Sequence, residues 1–133
     1  MKVFLDTNVV VSAFATRGLC GDLFHAILAE HEMVLGGTVL GAVRRVMVEK
    51  FRIPRDAMEE IETFLRRQAA VVAAEPSARV IGLDPADARV VDEAAAATVD
   101  VLVTGDKEVL ELADLPVPVV SPRGLWELLR SET

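Results

Sequence analysis

The sequence predicts an α/β fold, with a parallel sheet of five short strands covered by helices on both faces. Three observations predict it. Short apolar runs alternate along the chain with longer segments whose apolar residues recur at helical spacing. Two of the runs end beside an aspartate, Val3-Phe4-Leu5-Asp6-Thr7-Asn8 and Val101-Leu102-Val103-Thr104-Gly105-Asp106. Apolar residues make up 52% of the chain but aromatics only 5%, so the core is built from Val, Leu, Ala and Ile. That composition suits buried parallel strands packed by Ala-rich helices.

The elements follow in order. Lys2 to Leu5 forms the first strand. Thr7 or Asn8 is expected to cap a helix through Phe14, a β-branched segment that is helical because parallel strands need a crossover. Arg17-Gly18 ends it, and Gly21 or Asp22 opens a second helix over Leu23 to Glu30. Met33-Val34-Leu35 is the second strand, closed by Gly36-Gly37. Thr38 caps a helix to about Phe51 with Val39, Val43, Val46 and Met47 inward. Pro54 stands in the first turn of the next helix, whose stripe is Ala57, Met58, Ile61, Phe64 and Leu65, with Glu59, Glu60, Glu62, Arg66 and Arg67 outside. Val71-Val72-Ala73 is the third strand and Glu75-Pro76-Ser77 a turn. Asp84-Pro85-Ala86-Asp87 reads as a cap followed by Pro at the first helical position. That helix runs through Ala97, burying Val90, Val91, Ala94 and Ala95. Val101 to Thr104 is the fourth strand, Asp106 caps a short helix to Leu112, Val117 to Val120 is the fifth strand, and Pro122 opens the last helix.

The length, 133 residues, suits a single domain over residues 1–133. Cys20 is the only cysteine, which excludes an intrachain disulfide and fits a reducing compartment. Asp6 interrupts the first apolar stretch, so no signal-peptide pattern is present. No run approaches the ~18 apolar residues of a membrane helix. A cytoplasmic protein without a membrane segment is expected. The net charge of −7 argues against nucleic-acid binding by the whole surface. Charge is unevenly spread, however. Arg44 to Arg67 holds seven basic and five acidic residues, against seven and sixteen elsewhere. Arg44 and Arg45 are therefore candidates for substrate binding, beside the simpler reading of a solvated face.

Ligands in open α/β sheets bind at the carboxyl ends of the strands. Asp6 and Asp106 follow strands, and Asp87 lies in the first turn of a helix that precedes one. Clustered carboxylates repel unless a cation neutralises them. A hard divalent cation prefers oxygen ligands, can activate water and stabilises a phosphoryl transition state, so the matching chemistry is metal-dependent phosphodiester hydrolysis. Each acid also has a plainer role as a helix cap or dipole partner. Asn8 and Thr104 are candidate supporting polar residues. His25 and His31 have no partners at zinc-like spacing, Cys20 has no base partner, and Gly36-Gly37 reads as a turn.

Leu5-Asp6-Thr7-Asn8, Asp84-Pro85-Ala86-Asp87 and Leu102-Val103-Thr104-Gly105-Asp106-Lys107 together resemble PIN domains, and among them the VapC-type toxins of toxin–antitoxin pairs. The likeness extends over nearly the whole chain, including a terminal Pro-Arg-Gly-Leu-Trp segment. It implies a three-layer α/β/α sandwich around a mainly parallel five-stranded sheet. It implies a Mg²⁺- or Mn²⁺-dependent endoribonuclease acting on RNA. Homodimers or higher homo-oligomers, and inhibition by a small antitoxin protein, are implied as well. By position, Asp6, Asp87 and Asp106 match acidic metal-site residues of the family, and Asn8 and Thr104 match its accompanying polar positions.

One position departs from that pattern. The family's glutamate on the helix after the second strand falls on Ala42. Glu49 is the nearest acid on that helix, about 10 Å further along the axis. A degenerate PIN domain that binds protein or RNA without cleaving is therefore the alternative. A phosphotransfer domain is a weaker third reading, because Asn8 stands where a phosphatase would carry its second acid and the paired acids of a receiver are missing.

Overall fold

A computed structural model describes residues 1–74 and 82–131. The elements are β1 (Lys2–Leu5), α1 (Thr7–Ala15), α2 (Leu19–Glu30), β2 (Glu32–Gly36), α3 (Gly37–Glu49), α4 (Arg55–Gln68), β3 (Ala69–Val72), α5 (Pro85–Ala96), β4 (Val101–Val103), α6 (Lys107–Glu111), β5 (Val119–Val120) and α7 (Pro122–Ser131). The five strands are all parallel, in the order β3-β2-β1-β4-β5. The expected three-layer α/β/α sandwich is the fold observed.

The central strand explains the architecture. Val3, Phe4 and Leu5 of β1 are essentially sealed from water. A strand buried on both faces reads as a continuous apolar run, which is what these residues are. From β1 the chain first builds outward through β2 to β3. It then returns to the other side of β1 to lay down β4 and β5. The reversal falls between β1 and β4, and a crevice for ligands opens at such a switch point.

Boundaries differ from the sequence reading where backbone chemistry decides them. Asp6, not Thr7 or Asn8, caps α1, accepting a hydrogen bond from Thr7 N. Helix α2 begins at Leu19, because Gly18 with φ of 143° supplies the turn that Gly21 was expected to make. Helix α3 begins at Gly37 without a side-chain cap of its own and ends at Glu49. Pro54 is the cap of α4 rather than a member of its first turn. Strand β3 begins at Ala69 instead of Val71 because it pairs with Met33 to Gly36 of β2. Strand β5 shrinks to Val119 and Val120. Ala95 is only half-buried, as the stripe of α5 is completed by Asp92 and Glu93. Phe64 is 39% exposed, at the edge of an aromatic cluster with Phe14 and Phe24. The turn expected at Glu75-Pro76-Ser77 lies outside the described residues. Among the described residues no helix is long and apolar enough to cross a membrane.

Candidate active site

The site begins with strand register. Leu5 pairs with Val103, so the next residues, Asp6 and Thr104, leave their strands side by side. Asp6 N donates to Val103 O at 2.9 Å, extending the ladder to the rim. Asp6 is 7% exposed. Its Oδ1 accepts from Thr7 N at 2.7 Å. Its Oδ2 accepts from Thr104 Oγ1 at 2.7 Å and, at a longer 3.4 Å, from Asn8 Nδ2. Burial raises the pKa of Asp6, and the charge of Asp106 adds to the rise; the hydrogen bonds from Thr104, Thr7 and Asn8 oppose it. An acid in a pocket of this kind gains from a cation that offsets its desolvation.

Thr104 is completely buried and satisfied on both sides. While its hydroxyl donates to Asp6, it accepts from Asp106 N at 3.0 Å. Asn8 closes the ring, its Oδ1 accepting from Gly105 N at 2.8 Å. The two polar residues expected to support the acids thus join the ends of β1 and β4 into one network. Asp106 caps α6, its Oδ1 accepting from Glu108 N at 2.9 Å.

Asp87 comes from α5. Asp84 caps that helix, its Oδ1 accepting from Asp87 N at 2.9 Å, as the Asp-Pro start foretold. That bond is the main reason the Asp84 pKa lies below the ordinary value. Asp87 moves the other way, to about 6. Burial is the largest cause, followed by a hydrogen bond with Asp84 and then by the charges of Asp84, Asp106 and Asp6. Asp87 therefore stands within the electrostatic reach of both strand-end aspartates.

Among the described residues, no three acidic, histidine or cysteine side chains are gathered tightly enough to form a ready-made ion cage. Asp6, Asp87 and Asp106 are neighbours in charge rather than a closed ligand shell. The donors at this rim are oxygens: three carboxylates, the Thr104 hydroxyl and the Asn8 amide. An all-oxygen, acid-rich set suits Mg²⁺ or Mn²⁺, and Mg²⁺ in particular keeps several of its waters when bound.

Glu93 is the acid the sequence reading missed. It is 3% exposed, and both of its carboxylate oxygens accept from Thr38 N at 3.3 Å. It therefore supplies, from α5, the cap that the first turn of α3 lacks. Burial is the leading cause that raises its pKa. Its signal was present: Asp92-Glu93 interrupts the apolar stripe of α5 between Val91 and Ala94. Ala42 is half-buried on α3, while Glu49 is exposed at that helix's far end. Arg44 is held by Glu62 at 3.2 Å, and Arg45 is exposed. His31 faces the N-terminal amine at 3.1 Å.

The PIN domain family model matches residues 2–108, a span from β1 into α6 that includes every aspartate of the site. The chain belongs to the PIN domain family. PIN domains are generally nucleases that use divalent metal ions. Solved structures similar to this PIN domain include VapBC2 from Rickettsia felis bound to a DNA fragment from their promoter, at 14% identity and a TM-score of 0.62. They also include FitAcB from Neisseria gonorrhoeae, at 17% identity and a TM-score of 0.61. Each alignment covers 91% of this chain and 98% of the other, and at such identities the likeness is one of fold. No curated protein matches the chain as a relative.

Proposed function

We propose that this PIN domain is a divalent-metal-dependent endoribonuclease, the toxin of a toxin–antitoxin pair. The observation that carries the reading is the Asp6–Thr104 contact at the switch point, with Asp87 and Asp106 sharing its electrostatic field. Asp6, Asp87 and Asp106 would hold Mg²⁺ or Mn²⁺. Bound there, the ion would supply a water activated for attack and neutralise charge developing on the phosphoryl group. Thr104 and Asn8 donate to Asp6, oppose the rise in its pKa that burial causes, and hold its carboxylate at the rim. The hydrogen bonds from Gly105 N to Asn8 Oδ1 and from Asp106 N to Thr104 Oγ1 fix Asp106 relative to Asp6. Arg44 and Arg45 are the candidates for contact with RNA phosphates. The toxin role is supported by similarity to structures of VapBC2 and FitAcB. A small antitoxin partner, a homodimer or higher homo-oligomer, a cytoplasmic setting and a single domain over residues 1–133 complete the proposal.

The decisive experiment is cleavage of a short RNA by the purified chain in Mn²⁺, with chelator and Asp6→Asn as controls. Cleavage lost in both controls supports the reading, whereas metal-dependent cleavage undiminished in Asp6→Asn overturns this site. Ala42 favours a second reading, a degenerate PIN domain that binds without cleaving. RNA left intact by the wild-type chain in Mn²⁺ but bound to it would establish that alternative.

A further inference from the structure

We propose that the exposed corner Lys50-Phe51-Arg52, with the groove it closes, is a subsite for one nucleobase of single-stranded RNA beside the acid cluster. The inference rests on the nuclease reading and adds to it the form of the substrate and the residues that grip it.

The groove has a volume of about 340 Å³. Its lining includes Thr7, Asn8, Val11, Ala15, Lys50 and Phe51. Asn8 also touches Asp6 and Thr104, so the groove adjoins the candidate active site. Phe51 is 43% exposed. Lys50 Nζ lies 6.0 Å from the ring centroid, at the outer limit of a cation–π contact. Arg52 follows at once. No hydrogen bond or ion pair among the described residues engages the Lys50 or Arg52 side chain. The corner is tied down rather than loose. Phe51 N donates to Val46 O at 3.3 Å, and Ile53 N donates to Met47 O at 3.0 Å. Arg52 between them adopts φ of 54°.

An isolated exposed phenylalanine is ordinary on a protein surface. The setting of Phe51 is what points to a base. Single-stranded RNA is held by stacking its bases on aromatic rings while cations meet its backbone. Phe51 has on each side in sequence a cation outside any ion pair among the described residues, and it shares an apolar groove with Asn8. Phe64, the other exposed ring, has a more acidic setting: Asp56, Glu59 and Glu60 line the surface beside it against one cation, Arg67, a balance that disfavours phosphate. In a chain of net charge −7, the Lys50-Phe51-Arg52 corner is suited to an anionic ligand that carries planar, apolar faces.

The test measures fluorescence anisotropy of labelled single-stranded oligouridylate with the Asp6→Asn chain, so that binding is read without cleavage. An abasic ribose-phosphate oligomer of equal length is the second probe. Phe51→Ala in that background is expected to weaken oligouridylate binding about tenfold and to leave the abasic oligomer unaffected. Phe51→Tyr restores the affinity. Lys50→Ala and Arg52→Ala weaken both probes and each lowers the salt dependence by about one released counterion. Equal binding by parent and Phe51→Ala, or equal loss on both probes, overturns the subsite. So does self-association that disappears in Phe51→Ala, which would assign the face to a second copy of the chain. Should wild-type cleave RNA while Phe51 proves indifferent, the subsite fails and the nuclease reading stands. Should the chain neither cleave nor bind either oligomer, the nuclease reading fails and the subsite with it.

Discussion

The Glu93 carboxylate fills the space above Gly36 that any side chain at that position would need. A Cβ there would fall 2.8 Å from Glu93 Cδ and 3.0 Å from Phe4 Cζ. The pair locks α5, which carries Asp87, against the end of β2 and the start of α3. Gly36 has φ of −89°, so glycine is required here for room and not for backbone freedom.

Gly36→Ala is therefore expected to destabilise the fold by about 1–3 kcal/mol, the usual range for overpacking. Urea denaturation measures it. The double variant Gly36→Ala/Glu93→Ala should lose less than the sum of the two single losses, since neighbours that compete for one space are coupled. Glu93→Gln keeps an acceptor for Thr38 N and removes a buried charge, so it should be near neutral in stability at pH 7.

Thr104 bridges the two strand ends. Thr104→Val preserves shape but leaves the Asp6 carboxylate and Asp106 N short of a partner. A loss of about 1–3 kcal/mol is expected, the range for unsatisfied buried polar groups. Thr104→Ser keeps the hydroxyl and should recover most of it. Thermal or urea unfolding of the three proteins decides the matter.

The Asp87 pKa sets a pH dependence whose sign is definite. Folding raises it from 3.8 to about 6, so the folded chain holds the proton more tightly than the unfolded chain. This contribution is fully present below pH 3.8 and is lost as pH rises through about 6. In chelator, Asp87→Asn should flatten that part of the stability profile and be relatively more stable than wild type above pH 6. A profile unchanged by Asp87→Asn would contradict the assignment.

Divalent cations should act in the same pH range with opposite effect. Mn²⁺ is expected to raise the melting temperature at pH 7.5 by binding the folded state, and to do so weakly below pH 5, where protons compete for the carboxylates. Asp6→Asn should abolish the shift. Ala42→Glu should enlarge it if the only defect of the pocket is the missing acid. A shift that survives Asp6→Asn would place the ion elsewhere.

Much of this was legible from local chemistry. Val3-Phe4-Leu5 and Val101-Leu102-Val103 read as buried parallel strands because sealed strands need apolar residues on both faces. Asp84-Pro85 announced the start of α5 through the fixed φ of proline and the acceptor of aspartate. Asp92-Glu93 stood out as a polar break in the stripe of α5, but the role of Glu93 was not legible, because its partner Thr38 N lies 55 residues away. The cap of α1 was misassigned for a related reason. Asp6, Thr7 and Asn8 all have side chains able to cap, and only the register of β1 against β4 selects Asp6.

By itself, then, the chain's order of residues determined the alternation of strands and helices, the helix start marked by Asp84-Pro85, and the aspartates that follow apolar runs. These depend on contacts within a few residues, where propensity and period carry the information. Tertiary structure alone decided that β4 lies beside β1, that Thr104 reaches Asp6 at 2.7 Å, and that α5 lends Glu93 to α3. The reason is physical: a buried polar group takes the partner that the packed sheet and helices bring within hydrogen-bond distance, however far away it lies in the chain.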